Sequence, residues 1–194
     1  MAVRRLLFML LAVVLATVAA PAYAQGSGTL KNAVILIIRH AEQPPTGDGL
    51  SSAGEARARA YVAYFKDSTI DGRPLRLDYL FAAQDSANSR RPGLTLGPTA
   101  QAFGLSIDSR FANKQVDKLV DAIRQLPPGS VSLICWHHGM IPALLRALAI
   151  DPGTLLPRGK WPSNVYGWVI ELRYDDTGQL HESKRVNEHL MPDD

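Results

Sequence analysis

Residues 33–38 form an unbroken apolar run, Ala-Val-Ile-Leu-Ile-Ile, that stops abruptly at Arg39-His40. A run this short, rich in β-branched residues and closed by polar ones, is the pattern of a strand buried on both faces. Two more candidate strands follow, mostly apolar, at 77–83 and 131–136, and they too end in polar residues. Between them the apolar period lengthens to that of a helix. Ala58, Tyr61, Val62 and Phe65 fall on one face of a helix predicted from about 53 to 66, with Ser52 and Glu55 reading as a capping box at its start. Pro92 suits the first turn of a second helix running toward Phe103. Val116, Leu119, Val120 and Ile123 mark a third, with Asn113 as its expected N-cap and Pro127-Pro128-Gly129 as its stop. Ile141, Leu144, Leu145 and Leu148 give a fourth its buried face.

After a Pro- and Gly-rich loop at 151–163, residues 165–174 and 179–189 read as a hairpin around Asp175-Asp176-Thr177-Gly178. Short apolar strands alternating with amphipathic helices predict the α/β class. The expected architecture is a three-layer αβα sandwich with a mostly parallel central sheet and the hairpin added at an edge. In such a sheet, ligands sit beyond the carboxyl ends of the strands.

Composition changes this picture at the start of the chain. Of 194 residues, the first 24 read as an export leader: basic Arg4 and Arg5, an apolar stretch over 6–20, and small residues in Ala22-Tyr23-Ala24. That stretch is shorter than the ~20 residues a membrane-spanning helix needs. The expected division is therefore a signal peptide at 1–24 and one domain at 25–194, exported and soluble after cleavage, periplasmic or secreted. Removing the leader takes two basic residues and no acidic one, leaving 19 basic against 18 acidic. That balance carries no basic stripe for nucleic acid. Cys135, the single cysteine, excludes an intramolecular disulfide and reads as an inert buried thiol.

The unusual residues stand where the strands end: Arg39 and His40, Arg90 and Arg91, His137 and His138. Parallel neighbours would gather these ends in space. Guanidinium forks match phosphate oxygens and offset the charge that spreads over them in a transition state. A neutral imidazole can attack phosphorus, and nearby cations hold it neutral.

In this context Leu36-Ile37-Ile38-Arg39-His40-Ala41-Glu42 resembles the Arg-His signature that opens the histidine phosphatase superfamily, whose best-known members are phosphoglycerate mutase-like. Leu50-Ser51-Ser52-Ala53-Gly54 is similar to the family's helix entry. Arg91 with Thr95 is similar to its Arg-x-x-x-Thr segment, and Ile134-Cys135-Trp136-His137-His138-Gly139 to its later His-Gly segment. Four elements in order on strand ends are far more specific than an isolated Arg-His pair.

The resemblance implies a metal- and cofactor-independent phosphatase acting on a phosphomonoester or phosphoanhydride through a phosphohistidine, with mutase activity less favoured. It implies His40 as the nucleophile, Arg39 and Arg91 on the phosphoryl oxygens, and His138, just before Gly139, as the second pocket imidazole. His137 is then the flanking residue that supports the pocket from outside. Arg90 competes with Arg91, but Thr95 lies four residues after Arg91. Arg90, Glu42, Asp85 and His137 are the further candidates for substrate contact, and Glu42, Asp85 and Asp108 for the proton donor. The expected partner is a small phosphorylated substrate or inorganic phosphate.

Two rival readings stay beside this one. A phospho-ligand binder of the same fold, with little or no turnover, would keep the anion pocket without the acid. A zinc hydrolase would need His40, Glu42, His137 and His138 as ligands, among arginines that repel a dication. Trp161, Tyr166 and Trp168 are expected in core or hairpin packing, with a substrate entrance as the alternative.

Overall fold

The computed structural model describes residues 28–192 and 194; the expected leader lies outside them. Its centre is a six-stranded sheet in the order β5-β4-β6-β1-β7-β8. The strands are β1 (Val34–Arg39), β4 (Tyr79–Ala82), β5 (Ile107–Asp108), β6 (Val131–Trp136), β7 (Trp168–Tyr174) and β8 (Leu180–Asn187). β5, β4, β6 and β1 run parallel; β7 is antiparallel to β1, and β8 to β7. The expected edge hairpin is therefore β7–β8. The four helices are α1 (Ser52–Asp67), α2 (Arg91–Phe103), α3 (Val116–Arg124) and α4 (Ile141–Ala147).

Alternation along the strands fills two cores, one on each face of the sheet. Ile35 and Ile37 of β1 join Ile134 and Trp136 of β6 under α3 and α4. Leu36 and Ile38 join Leu133 and Cys135 under α1 and α2. Successive side chains point to opposite faces, so a strand covered on both sides must be apolar at every position. That is why the runs at 33–38 and 131–136 show no alternation.

Four details depart from the sequence expectation. The cap of α1 is Ser51, whose hydroxyl accepts from the Gly54 N–H, so the capping register sits one residue earlier than the Ser52–Glu55 pair. The cap of α3 is Gln115 rather than Asn113; the Asn113 carbonyl instead accepts from the Trp136 indole at 3.0 Å. A fourth parallel strand, β5, is only two residues long and leaves no periodic signal. A small hairpin joins β2 (Thr69–Ile70) to β3 (Arg73–Pro74) through Asp71-Gly72, both at positive φ (52° and 71°). Asp-Gly is the sequence signal for that turn type.

Among the described residues, no helix is long and apolar enough to cross a membrane. The start of α1 is pressed against the backbone just beyond β1. A Cβ on Gly54 would meet the Glu42 carbonyl oxygen at 2.3 Å, so the helix entry accepts only glycine at this approach. Gly54→Ala is expected to cost about 1–3 kcal/mol of stability, the range for overpacking a filled site. Urea unfolding measures it, and an unchanged midpoint contradicts the assignment.

Candidate functional site

The site begins where β1 and β6 stop. Their parallel register pairs Ile38 with Cys135 and Arg39 with Trp136. One bond beyond, the His40 N–H donates to the Trp136 carbonyl at 3.0 Å. Extending this register by one residue brings His40 beside His137, and their rings meet edge to face, centroids 5.1 Å apart at 67°. The imidazole against His40 is therefore that of His137, where the His-Gly likeness had pointed to His138. Strand alternation gives the same answer, because His137 continues the Leu133–Cys135 side of β6 toward α2. His138 is the next residue along, half-buried, with its Nδ1 out of solvent and without a hydrogen-bond partner.

His40 is 2% exposed. Its Nδ1 lies 2.8 Å from the Ala41 carbonyl oxygen, which can only accept. Nδ1 therefore carries the ring proton and Nε2 keeps its lone pair. Burial pushes the His40 pKa down to about 3; the Ala41 bond opposes this, while Arg39, His137 and Arg91 reinforce it. Burial likewise takes His137 down to about 4, helped by Arg91, His138 and Arg39. His138 is lowered by burial and by Arg39. Near neutral pH all three rings are uncharged and lie in the field of cations.

Arg39 is as deeply buried as His40. Its Nη1 donates to the carbonyls of Ser163 at 2.8 Å, Val165 at 2.9 Å and Pro162 at 3.3 Å, and its guanidinium lies 3.8 Å from the centre of the Tyr166 ring. Its Nε is buried with no partner. An unpaired buried donor is costly, and an anion's oxygen would satisfy it. Arg91, at the start of α2, binds the loop after β1, with Nε on the Gly49 carbonyl at 3.0 Å and Nη2 on that of Gly47 at 2.6 Å. Its charge bears on both His40 and His137. Arg90 faces outward in an exposed pair with Asp48 at 2.7 Å.

Of the candidate acids, Glu42 and Asp108 are paired with arginines. Asp85 is exposed, and Asp108 pairs with Arg110 at 3.0 Å on β5, which β4 and β6 separate from β1. Glu42, two residues after the nucleophile candidate, accepts from Arg57 Nε at 2.9 Å and Nη2 at 2.7 Å. Arg57 was missed by sequence reasoning. It occupies a buried position on α1 and also binds Glu188 at 2.6 Å and Asp194 at 2.6 Å. The sequence clue was a charge on the buried face of a helix: Arg57 stands beside Ala58 and four residues before Tyr61.

Thr95, a motif residue with no role assigned from the sequence, ties the strand ends together. Its hydroxyl accepts from the Ala41 N–H at 2.9 Å and donates to the Arg91 carbonyl at 2.8 Å. Cys135 is fully buried, which raises its pKa. Trp161 is buried with its indole on the Val165 carbonyl, whereas Tyr166 and Trp168 line a groove of about 480 Å³ beside Glu42. Among the described residues, no three His, Cys, Asp or Glu side chains gather as a metal site.

No protein-family model and no curated protein matches the chain. Solved structures do. A phosphoglycerate mutase from Plasmodium falciparum superposes with a TM-score of 0.53 at 18% identity, over 78% of this chain and 90% of that one. The protein histidine phosphatase SixA, solved with tungstate, gives 0.52 at 14% identity over 80% and 97%. A phosphoserine phosphatase mutant from Entamoeba histolytica, in complex with phosphoserine, gives 0.52 at 11% over 78% and 96%. The chain has the phosphoglycerate mutase-like fold that the sequence motifs led one to expect.

Two outcomes follow from this geometry. Thr95→Val leaves the Ala41 N–H buried without an acceptor and is expected to cost roughly 1–3 kcal/mol, while Thr95→Ser keeps the bond. Equal urea midpoints for the two variants would refute the role. Glu188, fully buried, has its pKa pushed from 4.5 up to about 7 by burial, against the pull of Tyr61 and Arg57. Between these values the folded chain holds a proton that the unfolded chain has released. The resulting stabilisation is present below pH 4.5 and lost as pH rises through 7. Glu188→Gln should remove this slope from the urea midpoint; an unchanged slope argues against it.

Proposed function

We propose that the chain is a metal-independent phosphatase of the histidine phosphatase superfamily, hydrolysing a phosphomonoester or phosphoanhydride through a phosphohistidine on His40. The observation that carries this reading is the state of His40: buried, neutral, its Nδ1 proton fixed on the Ala41 carbonyl and its Nε2 lone pair free, within a ring of cations and imidazoles. Nε2 attacks phosphorus, the P–O bond to the leaving group breaks, and water then displaces His40 from the phosphoryl group. Arg39 Nε, Arg91 and His137 hold the three spreading oxygens. His138 leaves that role to His137, whose ring lies against the nucleophile.

Hydrolysis is favoured over mutase chemistry because the chain between α2 and α3 contains only β5 and short turns, with little to cover a sugar phosphate. SixA and the phosphoserine phosphatase, whose solved forms hold tungstate and phosphoserine, lend the substrate class: a small phosphorylated compound or a phosphorylated side chain. The functional form is the exported domain at 25–194.

Brief incubation with a radiolabelled phosphodonor and rapid quench is expected to give acid-labile, base-stable label on the wild type and none on His40→Ala. Label that survives the substitution defeats the mechanism. Phosphate-ester turnover is expected to be unchanged by EDTA; a loss restored by zinc would favour the metal hydrolase instead.

A further inference from the structure

The proposed reaction needs a proton for its leaving group, and the three carboxylates that might have supplied one are committed elsewhere or exposed. Glu42 is paired with Arg57 through Oε1, its Oε2 buried and unpaired, Asp108 is paired with Arg110, and Asp85 is a solvent-exposed loop residue. The cations that bear most on the three imidazoles are Arg39 and Arg91. Among the described residues, the site has cations for oxygens and a nucleophile for phosphorus, and no carboxylate is among the groups that shift the three rings.

Two of the imidazoles are already occupied. His40 has its Nδ1 on Ala41 and its Nε2 toward phosphorus, and His137 lies edge to face against it, alongside the transferring group. His138 is different. It stands in the turn between β6 and α4, half exposed, beyond the ring that meets His40. Among the described residues its Nδ1 is buried without any hydrogen-bond partner, although its charge is felt by His137 and Arg39 in turn bears on it. A polar atom withdrawn from water and left unpaired costs free energy unless a ligand completes it.

We propose that His138 is the proton donor and acceptor of this site, handling the leaving group through its Nδ1. The inference rests on the phosphatase reading above. As the His40 Nε2–P bond forms and the P–O bond breaks, the proton on His138 Nδ1 passes to the departing oxygen, releasing the alcohol and leaving a neutral ring. In the second half, water adds to phosphorus as the Nε2–P bond breaks. Its proton goes to Nδ1, restoring the imidazolium, and inorganic phosphate leaves. Arg39 and burial disfavour that imidazolium in the free protein, while an incoming phosphate dianion beside it favours the charge. Substrate thus brings the charge that arms its own acid.

The experiment compares p-nitrophenyl phosphate, whose leaving group needs little protonation, with a simple alkyl phosphate. It uses the wild type, His138→Asn, His138→Gln and His137→Gln. Asn places a non-titrating amide near the Nδ1 position and Gln one near Nε2, so retained melting temperature in either keeps the comparison interpretable. The expected result is a loss of about 10²- to 10⁴-fold in kcat/KM for the alkyl ester and less than about tenfold for the aryl ester, in the His138 variants only. Equal losses on both esters, no loss on either, or a leaving-group-dependent loss in His137→Gln instead would overturn the proposal while leaving the phosphatase reading intact. If the wild type shows no His40-dependent hydrolysis of p-nitrophenyl phosphate, the underlying reading fails and this inference falls with it.

Discussion

The backbone pairing of β1 with β6, carried one hydrogen bond past the strand ends, is the constraint on which the rest of the site depends. The bond from the His40 N–H to the Trp136 carbonyl fixes the first imidazole relative to the second strand, so two segments almost a hundred residues apart present adjacent rings. Sheet hydrogen bonds are directional and evenly spaced in a parallel pair, which makes this placement rigid in a way that loop contacts are not. Thr95 then closes the arrangement from the α2 side by holding the Ala41 N–H, the residue immediately after the nucleophile candidate.

The second constraint is the burial of Arg39. A guanidinium withdrawn from water is destabilising unless its donors are satisfied, and the loop before β7 supplies three carbonyls to one nitrogen and a tyrosine face to the plane. Carbonyls and an aromatic ring stabilise the cation without neutralising it. A carboxylate partner would have given a stronger pair and a weaker anion site. The same choice is made at Arg91, whose partners are the Gly47 and Gly49 carbonyls, whereas its exposed neighbour Arg90 is paired with Asp48.

The fold was legible because its signals are long or repeated: three apolar runs of strand length and four amphipathic helices, each bounded by residues with a local reason to be there. The two-residue strand β5 was not, since two residues carry no period, and the caps of α1 and α3 slipped because several polar residues in a row could each have served. In the site, the Arg-His pair at β1 was plain from its position after an apolar run. The second imidazole was harder. A motif likeness pointed to the histidine before Gly139, whereas counting the register from Arg39 opposite Trp136, or following the alternation from Cys135, points to His137. Sequence spacing says which residues are neighbours along the chain; pairing decides which are neighbours across it.

Arg57 could not be found from a motif, yet it explains how a glutamate can sit two residues from the nucleophile candidate His40 without spoiling the proposed site. Glu42 already contributes to the field at Arg39. Left free, its carboxylate would compete with phosphate oxygens for that guanidinium. Arg57 engages one of its oxygens and also binds Glu188 and Asp194, so one buried cation carries three acidic side chains. Such a cluster has more acid than base, and desolvation resolves the imbalance by raising the affinity of Glu188, the most enclosed of the three, for a proton. The price of keeping negative charge away from the imidazoles is a protonation equilibrium built into the packing of α1 against the chain's final segment. Three carboxylates gather around Arg57, while the groups that bear on the imidazoles at the ends of β1 and β6 are cationic or neutral.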